Sequence, residues 1–389
     1  MTTRRAFVGA VGATLVSSSL PASGSRPGEG RGGRRVSPFL FWHEDTIVVP
    51  ITVNGVKTAG ILDSAAAVSM IDRRLANAAN IMVTSAGQSL AGPGGRLRAS
   101  KTGPFQLALG DFAALLAWTA VIDLSDVSEA MGWPVGFLVG QDVLRQCLLD
   151  FRFDEKQFSV ASDSEAPDLA GLEEVKLGRG LRQEPTIDIS IEGKPPVSAA
   201  VDTGNSSPLL LSPAYAEQSG LLSRRSSTAL SATASGISTN RLITVASLRM
   251  DHLQARDVPT EVYSSWTSNG SPANIGMPLL AGRRLVFDFG RDRLWRSISP
   301  AAPLRRDRSG LGLAVKADRL LVMHVASGSP AESGGFRVDD QIVEIDGRRV
   351  DGSYNEGDLW RWRFRPAGDQ VELTLSTGAK RKLRLANYY

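Results

Sequence analysis

Two short stretches of this 389-residue chain end an apolar run on an acid, then a hydroxyl residue, then a small one: Ile61-Leu62-Asp63-Ser64-Ala65 and Ala200-Val201-Asp202-Thr203-Gly204. A tight loop of this kind presents a carboxylate at a cleft. One such loop is an unremarkable turn, but two related by a pseudo-twofold axis would bring the acids within hydrogen-bond reach of each other. Like charges that close do not both ionise readily, so the pair would share one proton. The ionised acid then takes a proton from a bound water while the protonated one polarises a carbonyl, which is general acid–base hydrolysis of an amide. Ser64 and Thr203 would orient the loops by hydrogen bonding across the axis, and Ala65 and Gly204 would keep the approach uncrowded.

The elements that must hold these loops are repeated in the chain. Ile51-Thr52-Val53-Asn54-Gly55 leads through a second alternating run to Asp63, and Ile189-Ser190-Ile191-Glu192-Gly193 leads likewise to Asp202. Each reads as strand, glycine turn, strand. Downstream, Phe137-Leu138-Val139-Gly140 and Asp150-Phe151 answer Asn274-Ile275-Gly276 and Asp288-Phe289. The two acids are 139 residues apart and the later landmark pair 138. Two offsets that agree within one residue indicate a duplication, so residues 37–165 and 166–300 read as two copies of one β-rich unit. Short helices are expected at Ile71–Ala79 and Pro213–Ser219. The copies differ in places: Ala67 lacks the hydroxyl of the corresponding Ser206, and Asn274 is polar where an apolar residue is expected.

Composition removes other classes. Hydrophobic residues make up 42% and charged residues 22%, with 39 glycines and 20 prolines, which suits a loop-rich globular chain. The single cysteine, Cys147, excludes an intramolecular disulfide and thiolate-rich metal sites, and His43, His252 and His324 are too scattered for a metal cluster. No cofactor is implied. The chain has no Gly-x-Ser-x-Gly elbow, no phosphate-binding loop ending in Gly-Lys-Ser/Thr and no His-Glu-x-x-His. The net charge of +4 is concentrated at the front, where residues 1–35 hold six arginines against Glu29 alone, so the body carries no footprint for nucleic acid.

Residues 1–36 read as an export segment with a disordered tether. Thr3-Arg4-Arg5-Ala6-Phe7 is followed by a weakly apolar run to Leu20 and small residues, and Ala6–Leu20 is too short to span a bilayer comfortably. The paired arginines resemble a twin-arginine signal, which implies a twin-arginine export machinery as partner, a periplasmic or otherwise exported destination and no membrane in the mature form. Near the other end, residues 301–308 are rich in proline and then charge and read as a linker to a further unit at 309–389.

At both acid motifs and at the later apolar-apolar-Gly steps, the chain resembles the aspartic proteases, in particular bacterial relatives of the retropepsin and pepsin folds. That resemblance implies a mostly β, bilobal architecture of acid-protease barrels. It assigns Asp63 and Asp202 as catalytic and Ser64, Ala65, Thr203, Gly204, Gly140 and Gly276 as support for the active-site loops. Family flaps would match Ser89–Arg98, with Gly92, Gly94 and Gly95 at the tip, and less clearly Ser231–Asn240.

Residues 309 to about 386 resemble a PDZ domain, through Gly310-Leu311-Gly312-Leu313, Ser329-Pro330-Ala331-Glu332 and Ile345-Asp346-Gly347. In that family the Gly310–Leu313 loop offers its amides to a peptide's C-terminal carboxylate, and the peptide adds as a strand beside Leu313–Val315. A helix near Gly357–Phe364 would form the far wall, with Trp360 and Trp362 either lining it or belonging to the core. The whole is expected to be an exported aspartic endopeptidase that acts on peptides or unfolded proteins, with a PDZ groove for C-terminal peptides. The alternative is a bilobal pseudoprotease that holds peptides without cutting them.

Overall fold

Each acid is delivered by a strand that the local sequence forces to turn back on its predecessor. Thr46–Val53, apolar at most positions, turns at Asn54 and Gly55, with φ of 45° and 83°, into the antiparallel strand Val56–Leu62. Pro185–Ile191 turns at Glu192 and Gly193, with φ of 52° and 73°, into Val197–Val201. Two successive residues at positive φ match the right-handed twist of the flanking strands. The computed structural model describes residues 36–92, 95–132, 134–161, 167–234, 236–264, 266, 271–297 and 303–389. The export-signal reading lies outside those residues.

In both halves the strand that ends on the acid pairs in parallel with a later strand, Phe137–Val139 in the first and Ala273–Ile275 in the second. That later strand pairs antiparallel with the one following the acid loop, Met70–Asp72 or Leu209–Leu211. Each acid strand therefore lies in mid-sheet, flanked on both edges, so its end is held from two sides. The expected duplication is a duplication of topology.

A third sheet joins the halves. Its order is Val36–Pro38, Gln157–Ala161, Leu148–Arg152, Arg284–Asp288, Arg293–Ser297 and Leu172–Lys176. The central pairing, Leu149 opposite Phe287 through Arg152 opposite Arg284, crosses from one half to the other. Arg284 grips Asp150 with two hydrogen bonds of 2.8 and 2.7 Å, the bidentate geometry that gives guanidinium–carboxylate pairs their strength. Beneath the sheet, the fully buried Phe151 stacks on Phe158 at 5.4 Å, with Phe39 edge-on at 5.1 Å. One apolar core runs through both halves.

Helices form at Arg73–Ala78 and Pro213–Gln218, inside the expected spans. Asp72 and Ser212 cap them by accepting from the Arg74 and Tyr215 amides, and Pro213 opens the second. A further helix, Ser125–Met131, has no capping side chain at its start and stops at Gly132 in the left-handed region. Without a cap, its seven residues gave no sequence signal.

The C-terminal unit is a sheet in the order Leu311–Lys316, Arg319–Val325, Gln341–Ile345, Gln370–Leu375 and Lys380–Arg384, around an apolar core of its own. The expected wall helix is a 3₁₀ turn, Leu359–Phe364. Trp360 and Trp362 are both buried, so the core reading holds and neither lines a groove. Trp362 donates to the Tyr354 hydroxyl at 3.2 Å, and Trp360 stacks on His43 of the first half at 4.2 Å.

Composition suggested a spacer at 301–308, yet the described part of it is packed. Arg305 pairs with Asp45 of the first half at 3.0 Å. The buried Arg306 donates to Thr244 Oγ1, the Asp257 carbonyl and the Tyr389 carbonyl. Its charge, removed from water, is matched by acceptors from the second half and the C-terminal unit together.

Candidate active site

The backbone at each acid is fixed in the same way. The Asp63 amide donates to the Val139 carbonyl at 2.9 Å, and the Asp202 amide to the Ile275 carbonyl at 3.0 Å. Past each acid, the Ala66 carbonyl accepts from Gln141 N–H at 2.9 Å and the Asn205 carbonyl from Met277 N–H at 3.0 Å.

Between the halves, the hydroxyls exchange places. Ser64 Oγ donates to the Val201 carbonyl at 2.6 Å and accepts from the Thr203 amide at 3.0 Å. Thr203 Oγ1 donates to the Leu62 carbonyl at 2.9 Å and accepts from the Ser64 amide at 3.0 Å. Both side chains are buried, so four otherwise orphaned backbone groups are satisfied by two hydroxyls. Serine serves as well as threonine here because only the hydroxyl is used.

This exchange brings the acids together. A methyl group placed on Gly204 would lie 3.0 Å from Asp63 Cγ and 3.3 Å from Asp202 Oδ1, so both carboxyl groups crowd one point. Burial and the facing Asp202 carboxylate push Asp63 up to about 7, against the pull of the Ala66 and Ala65 amides, which donate to its Oδ1 at 2.9 and 3.2 Å. Burial also raises Asp202, which is opposed by donors from Asn274 and from the Gly204 and Asn205 amides. Two like charges drawn out of water and facing each other this closely hold a single proton between them over a wide pH range.

Gly140 and Gly276 are needed for space. Their φ values, −91° and −104°, suit any residue. A methyl on Gly140 would sit 2.6 Å from the Val68 carbonyl carbon, and one on Gly276 would sit 2.2 Å from the Ser207 carbonyl oxygen. The acid loop of each half rests directly on its glycine. Ala65, where the other loop has glycine, is accommodated with its amide on Asp63, and Ala67 and Ser206 both lie exposed at the surface.

Some residues that build the site were not singled out from the sequence. Asp142 Oδ1 accepts from the Ser69 amide and hydroxyl at 2.9 and 2.6 Å, and Ser69 Oγ in turn accepts from the Gly140 amide at 2.9 Å. The repeat held a clue, since Pro278 stands at the matching position of the second half. Asn205 and Ser207 are likewise engaged beside Asp202.

Hairpins occur where flaps were expected. Val83–Gly92 and Gly95–Thr102 pair with Gly92 opposite Gly95, while Gly94 lies outside the described residues. In the second half, Ser227–Thr233 pairs with Gly236–Met250.

Two segments of the chain match known families. Residues 187–279 match the aspartyl protease family and residues 321–375 match the PDZ domain family. The fold is retropepsin-like, followed by a PDZ domain. Among solved structures, a retropepsin-like aspartic protease from Rickettsia conorii aligns at 22% identity over 32% of this chain and 89% of that one, with a TM-score of 0.26. Basic 7S globulin from soybean aligns at 9% identity over 68% of this chain and 94% of that one, with a TM-score of 0.41. A comparison with curated proteins finds no match.

The groove of the PDZ domain departs from the expected arrangement. Of the Gly310–Leu313 loop, the Gly310 amide donates to Asp307 Oδ1 at 3.2 Å and the Leu311 amide to Ser309 Oγ at 3.1 Å. These amides are taken by the chain itself. Arg363, on the 3₁₀ turn opposite, donates to Asp307 Oδ2 and to the Leu311 carbonyl, so it bridges the two walls.

The strand Leu311–Lys316 is covered as well. Gly132, at the end of helix Ser125–Met131, packs so closely that a methyl on it would lie 2.5 Å from Asn355 Nδ2 and 3.0 Å from Val315 Cβ. Asn355 Nδ2 donates to the Met131 carbonyl at 3.0 Å, and Lys316 pairs with Glu129. From the second retropepsin-like lobe, Thr228 Oγ1 meets His324 Nε2 at 2.9 Å and Ser227 Oγ donates to the Ser327 carbonyl at 2.6 Å. The second-lobe hairpin is therefore tied to the PDZ domain at its base.

Proposed function

We propose that this protein is an exported aspartic endopeptidase that hydrolyses peptide bonds in peptides or unfolded proteins, with Asp63 and Asp202 as its catalytic residues. The observation that carries the reading is the pair of carboxyl groups crowding the point where a methyl on Gly204 would lie, each on a loop locked to the other by the Ser64–Thr203 exchange.

A water between the acids loses a proton to the ionised carboxylate as its oxygen bonds to the scissile carbonyl carbon. The protonated acid gives its proton to the carbonyl oxygen, and a gem-diol results. Collapse breaks the C–N bond. The first acid passes its proton to the leaving nitrogen and a gem-diol hydroxyl returns one to the second, so both acids end as they began. The rigid loops add orientation, which converts attack by water into a nearly unimolecular step. Incubating the full chain with an unstructured protein between acidic and neutral pH is expected to give cleavage that a statine-type transition-state mimic blocks. Peptide binding without turnover over that range would leave a peptide-holding pseudoprotease instead.

The PDZ domain, in this reading, engages its own linker through Asp307, and its carboxylate loop accepts a foreign C-terminus only once that carboxylate is displaced, while the strand Leu311–Lys316 stays covered by Gly132 and Asn355. A fluorescent peptide with an apolar C-terminal residue is expected to bind the full chain poorly. Asp307→Ala, which frees Arg363 and the Gly310 amide for a terminal carboxylate, is expected to tighten binding about tenfold or more, an effect worth about 1.4 kcal/mol. Equal affinities for the two proteins, measured by fluorescence polarisation, would mean that the groove is open as it stands.

A further inference from the structure

The two acid loops are alike in backbone and differ in what surrounds the carboxylates. Three residues past Asp63 stands Ala66, and three past Asp202 stands Asn205. On the neighbouring strands, Leu138 faces Ile61 in register and Asn274 faces Ala200, positions that correspond between the halves. Both polar residues fall on the Asp202 side, and they touch each other.

Their hydrogen bonds have a fixed direction. The Ser207 amide can only donate, and it does so to Asn205 Oδ1 at 2.8 Å. Asn205 must then turn Nδ2 toward Asn274, whose Oδ1 accepts at 2.8 Å. That leaves Asn274 Nδ2 pointing at Asp202 Oδ2, to which it donates at 2.7 Å. One backbone N–H thereby sets the orientation of two amides, and the last of them offers a donor to the acid. Asp202 Oδ1 already accepts from the Gly204 amide at 2.9 Å, so each of its oxygens faces a group that cannot receive a proton. Asp63 holds its two amide donors on Oδ1 alone, and among the described residues none donates to its Oδ2.

We infer that Asn274 is a positioning residue that decides where the shared proton resides, keeping Asp202 charged and leaving the proton on Asp63. The assignment rests on the hydrolytic reading for its consequence: Asp202 is then the acid that takes the proton from water, and Asp63 the one that hydrogen-bonds the substrate carbonyl. The charged group facing Asp202 from the other half is Asp63. On its own side Glu261 is linked to the same loop through Ser207, whose hydroxyl donates to Glu261 Oε1.

The test is a carboxyl titration of the full chain labelled with carbon-13 at the aspartate side-chain carboxyls, with Asp63→Asn and Asp202→Asn assigning the two signals. In the wild type, Asp202 is expected to titrate below Asp63. Asn274→Leu should raise the Asp202 midpoint by about one pH unit or more, because a donor to the charged form is lost. Asn274→Asp should raise it further by adding a third acid, and the acid limb of kcat/KM should move with it. A purely structural role predicts no such order. Asp202 titrating above Asp63 in the wild type, or unmoved in a folded Asn274→Leu protein, overturns the inference. If Asn274→Leu does not fold, Asn274→Asp carries the test, and an Asp202 midpoint unmoved in that protein overturns the inference equally. If the shifts appear while no peptide is cut, the proton assignment stands and the hydrolytic reading falls.

Discussion

Asp202→Asn is expected to lower kcat/KM for peptide hydrolysis by about 10³-fold or more while the protein stays folded, since an amide cannot take a proton from water and a missing general base typically costs 10²–10⁴. The volume is unchanged. One hydrogen bond is disturbed, because an asparagine oxygen can accept from Asn274 or from the Gly204 amide but its nitrogen then faces the other donor. That costs about 1 kcal/mol, too little to unfold a chain with this core.

The pH behaviour has a definite sign. Asp63 is raised to about 7 by burial and by Asp202, so the folded protein holds this proton more tightly than the unfolded chain does. The resulting stabilisation is fully present below the ordinary carboxylate range, about 4, and is lost as pH rises through 7. Removing the Asp202 charge removes one of the two causes of the shift. The melting temperature of Asp202→Asn should therefore fall less between about pH 4 and 7 than that of the wild type. Thermal melts and peptide hydrolysis across that range check both statements, and residual hydrolysis near the wild-type rate would remove Asp202 from the chemistry.

Thr203→Val should cost about 2–6 kcal/mol of stability. Valine has the same shape, so packing is preserved, but the Ser64 amide and the Leu62 carbonyl each lose a buried partner. Each such group costs about 1–3 kcal/mol when left unsatisfied. Ser64→Ala should behave similarly through the Thr203 amide and the Val201 carbonyl. The double variant should cost less than the two together by about 1 kcal/mol or more, because each hydroxyl works against the other's loop. Denaturant unfolding of the four proteins supplies the numbers. Strict additivity would show that the two loops are held independently.

Much of this site could be read from residue order. The repeat period placed Asp63 and Asp202, and the glycines at 140 and 276, at equivalent positions, and the family resemblance assigned those glycines to loop support. Those signals survive without coordinates because they are backbone demands: a turn that needs positive φ, or a contact too close for a methyl. What stayed hidden depends on partners distant in sequence. Asn274 looked like a flaw in an apolar strand, and only its contact with Asp202, 72 residues away, gives it a use. The closed PDZ groove was hidden for the same reason. Nothing in Gly310-Leu311-Gly312-Leu313 announces that Asp307 will take the Gly310 amide and Ser309 the Leu311 amide, or that Gly132 will lie against Val315. The tryptophans at 360 and 362 were ambiguous because a large apolar side chain suits a groove and a core equally.

The sheet shared between the halves bears on how the chain reaches this state at all. Arg284 meets Asp150 across 134 residues, so the Leu148–Arg152 strand emerges during synthesis long before the strand that covers its edge. Such high contact order slows folding, because chain-closure entropy is lost before the reward arrives. An apolar edge left waiting is prone to pair with a neighbouring chain. The first half made alone would keep that edge bare, so soluble expression belongs to the undivided polypeptide.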